Sequence, residues 1–175
     1  MASSSPHASP PARPRTRRAA SAAADPLALD AQLCFALYSA SLAMTKRYRP
    51  LLDAIGLTYP QYLVMLALWE RDGVTVTALG ERLRLDSGTL TPLLKRLEAL
   101  GLLQRLRATD DERRVCLTLT AAGRQLRRRA LAIPAQLAQA IDCSAVERVA
   151  LTTALRALRD TLAPDASAPL SSTAA

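Results

Sequence analysis

The chain of 175 residues is the size of one ordinary domain with tails at its ends. Half of its residues are hydrophobic, enough for a sizeable core, and with only 3% aromatic residues that core is mostly Leu, Ala and Val. A net charge of +8 points towards nucleic acid or another polyanion, and the single histidine, His7, excludes most chemistry that needs a histidine base and any His-bearing zinc site.

Residues 1–24 are mostly Ala, Ser, Pro and Arg without an acidic side chain, a composition that cannot offset its own ordering entropy and reads as a disordered basic tail. Its Arg13, Arg15, Arg17 and Arg18 are not followed by an apolar run, so it is a poor secretory signal. No stretch elsewhere reaches transmembrane length, and the chain reads as cytoplasmic, with no membrane partner. A long helix is expected from about Ala28 to Tyr48, apolar almost all round (Leu33, Phe35, Leu37, Leu42, Met44), the pattern of a helix buried between other helices or subunits. Pro50 then suits the first turn of a separate short helix ending near Gly56. Thr58 and Gln61 have capping-box spacing ahead of the apolar run from Tyr62 to Trp69, which Asp72 and Gly73 end.

Thr75 is placed to cap a short helix with Val76, Leu79 and Leu83 on its apolar face. Leu85 and Asp86 make a tight connection, and Ser87 is expected to cap a second helix with core positions Leu90, Leu93, Leu94, Leu97 and Leu100, closed by Gly101 and slightly kinked at Pro92. Two short helices joined this tightly predict a helix-turn-helix. Two strands follow, near Leu102 to Arg107 and Val115 to Leu119, the second alternating Val115, Leu117 and Leu119 against Cys116 and Thr118, with a charged loop between them. A hairpin directly after a helix-turn-helix makes a winged helix. Thr120 starts a helix to about Ala140, interrupted by Pro134, and Ser144 with Glu147 caps a last helix to about Leu162. The expected class is mainly α with a small β-hairpin wing: a domain over residues 25–163, with a second disordered tail over 164–175.

The helix from Ser87 to Leu100 carries Ser87, Thr89, Thr91, Lys95 and Arg96 away from its leucines. Short hydroxyls at a helix N-terminus approach base edges and phosphates in the major groove, while Lys and Arg anchor the backbone. The plainer alternative is a solvated face in a helical bundle. In the wing, Asp111 is placed to hold the Arg113 guanidinium extended, and an arginine at a wing tip suits the narrow, electronegative minor groove; an exposed surface ion pair is the alternative.

Cys34, Cys116 and Cys143 are widely separated, with no CxxC pair, so a zinc ribbon, a thioredoxin-type motif and a secreted disulfide scaffold are all poor fits; no metal and no cofactor are implied. Cys34 sits in the apolar stretch Leu33-Cys34-Phe35-Ala36-Leu37-Tyr38, where a free cysteine is often a small buried hydrophobe. The four tyrosines of the chain raise the other possibility: Tyr38, Tyr48 and Tyr59 follow Cys34 by four, fourteen and twenty-five residues, with Tyr62 close behind. Phenolic hydroxyls donated to a sulfur stabilise the thiolate and speed its reaction with peroxide.

The run from Leu33 to Ser39, the segment Gly56-Leu57-Thr58-Tyr59-Pro60-Gln61-Tyr62-Leu63-Val64-Met65, the segment from Leu85 to Glu98, the wing residues Asp111-Glu112-Arg113 and the exit Leu119-Thr120-x-x-Gly123 together resemble the organic hydroperoxide resistance regulators (OhrR), the peroxide-sensing branch of the MarR-type winged-helix repressors. The resemblance spans about Leu29 to Leu162. It implies a homodimer whose first and last helices form the dimerisation region. Cys34 matches the peroxide-reactive cysteine, Tyr48 and Tyr59 the tyrosines that hydrogen-bond it, the latter from the partner subunit, and Cys143 the resolving cysteine of the two-cysteine subgroup; Cys116 matches no functional position. The function so implied is a repressor that binds double-stranded operator DNA when reduced. Organic hydroperoxide, the inducer, would oxidise Cys34 to a sulfenic acid, which condenses with Cys143 of the other subunit into a disulfide and releases the DNA. Such chemistry is stoichiometric sensing, so the chain is not expected to be an enzyme. Two rivals stand beside it: a MarR-type regulator released by a small aromatic ligand, with Cys34 merely lining the pocket, and a thiol peroxidase.

Overall fold

The computed structural model describes residues 25–107, 115–141 and 143–162. The expected tails and the wing loop with Asp111 and Arg113 lie outside the described residues. The chain divides into two compact units after Ser41.

A 3-10 turn over Leu29–Ala31 precedes helix α1 (Leu33–Asp53), whose residues from Leu42 on belong to the second unit. One helix from Ala28 was expected; instead Gln32 is extended, and its side-chain amide donates to the carbonyls of Pro26 at 2.5 Å and Ala28 at 3.2 Å. That local bonding satisfies the turn and lets α1 start afresh. The other end of α1 departs from expectation in the opposite sense, because the helix continues through Pro50. Pro50 has no N–H to offer the carbonyl one turn back, that of Lys46, and both residues are exposed. The extension carries Leu52 into the core of the second unit at 1% exposure. Gly56, at φ +74°, closes the following turn, and Leu57 N donates to the Leu52 carbonyl.

The second unit continues with α2 (Tyr59–Glu70), β1 (Val74–Thr75), α3 (Val76–Leu83), α4 (Ser87–Ala99), β2 (Leu103–Arg107), β3 (Val115–Leu119), α5 (Ala121–Ala130), α6 (Ile133–Ala140) and α7 (Ala145–Leu162). The capping signals are realised: the Thr58 N–H donates to Gln61 Oε1 at 2.8 Å, the Thr75 and Thr120 hydroxyls accept from Ala78 N and Gly123 N, and Ser144 and Glu147 bond reciprocally. The interruption near Pro134 falls at Leu131 and Ala132, and Pro134 sits in the first turn of α6.

The strands form an antiparallel sheet in the order β1-β3-β2, with Val74 opposite Leu117 and Leu103 opposite Leu119. β1 was not anticipated. Two residues carry no periodicity, and the strand exists only because β3 supplies its partner. The core gathers Tyr62, Val64, Met65 and Leu68 from α2, Leu79 from α3, Leu90, Leu94 and Leu97 from α4, and Leu103 and Leu117 from the sheet, each at 2% exposure or less. Leu100, expected in that core, is instead 53% exposed where α4 ends.

Polar bonds fasten the sheet to the helices around it. Asp72 Oδ1 accepts from Leu119 N at 2.8 Å and from Gly73 N at 2.9 Å, and Trp69 Nε1 donates to the Gly123 carbonyl at 2.9 Å. Gly123 has to be glycine, since a Cβ there would come 2.0 Å from the Leu102 carbonyl oxygen. α7, by contrast, buries none of its residues.

Candidate nucleic-acid interface and redox residues

Helices α3 and α4 are joined by Arg84 in the left-handed region (φ 57°), Leu85 and Asp86. The connection is tight because Leu85 N donates to the Gly80 carbonyl at 3.0 Å, and a Cβ on Gly80 would approach the Leu85 carbonyl to 3.0 Å. Asp86, not Ser87, caps α4: its Oδ1 accepts from Thr89 N at 2.8 Å. Both residues are good caps, and the carboxylate wins because it also accepts the Thr89 hydroxyl at 2.8 Å. These bonds hold the Asp86 carboxyl below the ordinary carboxylate range.

Leu90, Leu94 and Leu97 fix the roll of α4, which leaves Ser87, Thr89, Lys95 and Arg96 exposed and Thr91 half-buried. The helix-turn-helix thus brings together the five α4 residues picked out from the sequence. The sixth, Arg113, and its support Asp111 lie outside the described residues. Sequence reading missed the strut between α4 and the sheet: Arg105 Nη2 lies 2.6 Å from Glu98 Oε2, its Nε donates there at 2.8 Å, and its backbone N–H donates to Glu98 Oε1 at 3.3 Å. Arg105 in turn keeps the Glu98 carboxyl below its usual range. Opposite charges seven residues apart across a helix end were the only signal for it.

The three cysteines are free thiols. Cys34, in the unit that ends at Ser41, is exposed in the single chain, which removes the buried-hydrophobe alternative for the chain taken alone. Cys116 is half-buried on β3, opposite Leu106 and Thr75. Cys143 is half-buried just ahead of α7, where the Arg148 guanidinium donates to its carbonyl and its own thiol lies 3.7 Å from the Ser144 carbonyl.

The tyrosines of the second unit form a cluster. The rings of Tyr48 and Tyr59 are 4.9 Å apart, Tyr48 and Tyr62 are 5.8 Å apart, and Tyr62 meets Trp69 edge-on at 6.3 Å. Burial, then the neighbouring Tyr59 and Tyr62 hydroxyls, pushes the Tyr48 phenol up to about 12. Burial raises Tyr59 and Tyr62 as well. All three therefore keep their protons at neutral pH and are available as hydrogen-bond donors.

The model for the transcriptional regulators SarA and Rot matches residues 46–129. The organic hydroperoxide resistance transcriptional regulator of Bacillus subtilis is 48% identical over 138 residues, spanning 79% of this chain and 94% of that protein. The chain belongs to the OhrR branch of the MarR-type winged-helix family. The HTH-type transcriptional regulator TtmR of Methylorubrum extorquens is 50% identical over 138 residues, spanning 79% of this OhrR-type chain and 71% of that one. Reduced AbfR bound to DNA has a TM-score of 0.67 and 36% identity, covering 77% of this chain and 92% of that one. AbfR, from Staphylococcus epidermidis, has also been solved in a disulfide form, with a TM-score of 0.54. The OhrR-type chain is accordingly a DNA-binding transcriptional regulator with a helix-turn-helix and a β2–β3 wing stem. Among the described residues no helix is long and apolar enough to cross a membrane.

Proposed function

We propose that this regulator is a homodimeric, peroxide-sensing repressor. When reduced, the α4 helices of the two subunits occupy successive major grooves of a pseudo-palindromic operator. Ser87, Thr89 and Thr91 face base edges, Lys95 and Arg96 hold phosphates, and Arg113, supported by Asp111, reaches the flanking minor groove. Exposed apolar side chains support the dimer: Leu33 and Tyr38, then Leu42 and Met44 of α1, and Val146, Val149, Leu151, Leu155 and Leu162 of α7. So long an uncovered series is the mark of an interface.

The Cys34 thiolate attacks the outer oxygen of an organic hydroperoxide, forming a sulfenic acid and expelling an alcohol. The thiol of Cys143 from the other subunit then displaces that oxygen as water and closes a disulfide. Tyr48 and Tyr59, protonated as described, are the donors that favour the thiolate. A bond between the ends of the dimerisation helices moves the two α4 helices out of register with the grooves. The observation that carries this reading is a free, exposed Cys34 on the first helix of a chain 48% identical to an organic hydroperoxide regulator.

Operator binding measured with and without organic hydroperoxide tests it. The wild-type protein is expected to release DNA and to run as a disulfide-linked dimer on non-reducing gels, with binding restored by a reductant. Cys34→Ser stays bound, Cys143→Ser accumulates sulfenic acid that proceeds to sulfinic and sulfonic forms, and Cys116→Ser behaves as wild type. Release of Cys34→Ser by the same peroxide sinks the reading. Release by a small aromatic acid without thiol change supports the ligand-gated rival, and steady peroxide consumption with a thiol reductant supports the peroxidase.

A further inference from the structure

Thr89 and Thr91 have already spent their protons. A hydroxyl carries one hydrogen and two lone pairs. The Thr89 hydroxyl lies 2.8 Å from Asp86 Oδ2, and the Thr91 hydroxyl lies 2.7 Å from the Ser87 carbonyl oxygen. Neither partner has a proton to give: one is a backbone carbonyl, the other a carboxylate held ionised by two bonds from Thr89. The direction of both hydrogen bonds is therefore fixed, with threonine as donor. Ser87 differs, since its hydroxyl makes no hydrogen bond among the described residues and its proton remains available.

We propose that Asp86 and the Ser87 carbonyl make Thr89 and Thr91 acceptor-only readers of the major groove, so that the operator avoids guanine on the edges these two residues face. This rests on the reading of α4 as the operator-facing helix and gives that reading a chemical preference. With the proton withdrawn, each threonine offers a lone pair and a methyl group. The lone pair suits the amino hydrogens of cytosine N4 or adenine N6, and the methyl packs on the thymine C5-methyl. Guanine presents only N7 and O6 there, two acceptors against an acceptor. Phosphate oxygens are acceptors too, so neither threonine serves as a backbone anchor, and that work falls to Lys95 and Arg96, while Ser87, whose hydroxyl proton is uncommitted, can still donate to a base edge. Asp86 is thus a positioning residue: it touches no base itself and sets the polarity of one that does. Gly88 leaves room for it, because a Cβ there would come 3.0 Å from Asp86 Oδ1.

The test is selection of a randomised operator half-site by the reduced, full-length protein, read by sequencing, for the wild type and for Thr89→Val, Thr91→Val, Asp86→Asn and Lys95→Ala. Valine keeps the shape of threonine and loses the lone pair. Asparagine still caps α4 through its amide oxygen, but its NH2 now donates to the Thr89 hydroxyl and frees that proton for the groove. At the base whose preference Thr89→Val alters, the wild type should disfavour guanine by about tenfold, and Asp86→Asn should accept it to within about twofold of the best base. Thr89→Val and Thr91→Val should each lose the preference for cytosine or adenine, keep thymine, and leave the salt dependence of binding unchanged. Guanine favoured by the wild type at that base overturns the proposal. So does Asp86→Asn raising all sequences by one common factor, which is the signature of a removed charge alone. If the wild type enriches a sequence but neither Lys95→Ala nor the threonine variants change binding, the placement of α4 on DNA fails and the assignment falls with it.

Discussion

Helices α4 and α7 are built from similar leucine-rich sequence and end in opposite situations. α4 buries Leu90, Leu94 and Leu97 at 1% exposure or less, whereas α7 leaves Val146 at 78%, Val149 at 67%, Leu151 at 58% and Leu155 at 41%. Leu151, Leu155, Leu158 and Leu162 follow one another at four-, three- and four-residue steps, a stripe that continues round one side of a helix. A helix whose apolar stripe is covered within its own chain turns its polar face outward, and for α4 that face suits a polyanion. A helix whose stripe is uncovered is half of an apolar contact. The winged-helix core is covered within one chain; the apolar stripe of α7 is not.

Substitution inside each region should separate the two. Leu97→Ala, at a position with no exposed surface, is expected to destabilise the fold by about 3 kcal/mol, seen as a lowered urea midpoint. Leu155→Asp on α7 should leave the helical content and the Trp69 environment intact while weakening self-association by about 100-fold or more, because a carboxylate would be trapped in an apolar contact. Sedimentation at graded concentrations measures that shift, and operator affinity should fall with it. If Leu155→Asp lowered the urea midpoint of the isolated subunit as much as Leu97→Ala does, α7 would belong to the core after all.

The contrast was only partly legible in the sequence. Caps at Thr58, Thr75, Thr120 and Ser144 and the stop at Gly101 were readable because each is settled within three or four residues. The two helices and the hairpin followed from apolar period, and so did the identity of the exposed α4 residues. What was hidden depends on distant partners. β1 needs β3, the Asp72 bond to Leu119 spans 47 residues, and the helix survives Pro50 because Leu52 finds a core beyond it. The choice of Asp86 over Ser87 as cap, and the direction in which Thr89 gives its proton, are decided by side-chain reach that spacing does not encode.

On the exposed face of α4, charge sharpens the comparison. Lys95→Ala and Arg96→Ala should each weaken operator binding about tenfold or more at moderate salt and lower the salt slope by about 1.8, since a dimer loses one phosphate contact of about 0.9 in each subunit. Neither should change the unfolding free energy by more than about 0.5 kcal/mol, since both side chains are exposed. Arg113→Ala should instead cost affinity mainly on operators with A·T-rich flanks, where the minor groove narrows. Equal loss on G·C-rich flanks would remove the wing from the minor groove.

The smallest expected effect concerns Tyr48, at the edge of the covered region and half-buried beside Tyr59 and Tyr62. Burial and those neighbours favour its neutral phenol, so its folded pKa, about 12, lies above the unfolded value of 10.0. Between those two values the folded chain holds a proton that the unfolded chain has released, and the slope of stability with pH is therefore negative there. The contribution is whole below about pH 10 and is lost as pH rises towards about 12. Tyr48→Phe keeps the ring packing and removes the titrating group. At neutral pH the variant should differ from wild type by less than about 1 kcal/mol, while in a series of urea midpoints above about pH 10 it should fall less steeply. Tyr59 and Tyr62 are raised in the same direction and remain, so some alkaline slope persists. Parallel decline of the two proteins would mean that Tyr48 is as well solvated when folded as when unfolded. That result would also undercut its part in the proposed sensor, since a phenol that titrates freely is not the desolvated donor that a thiolate requires.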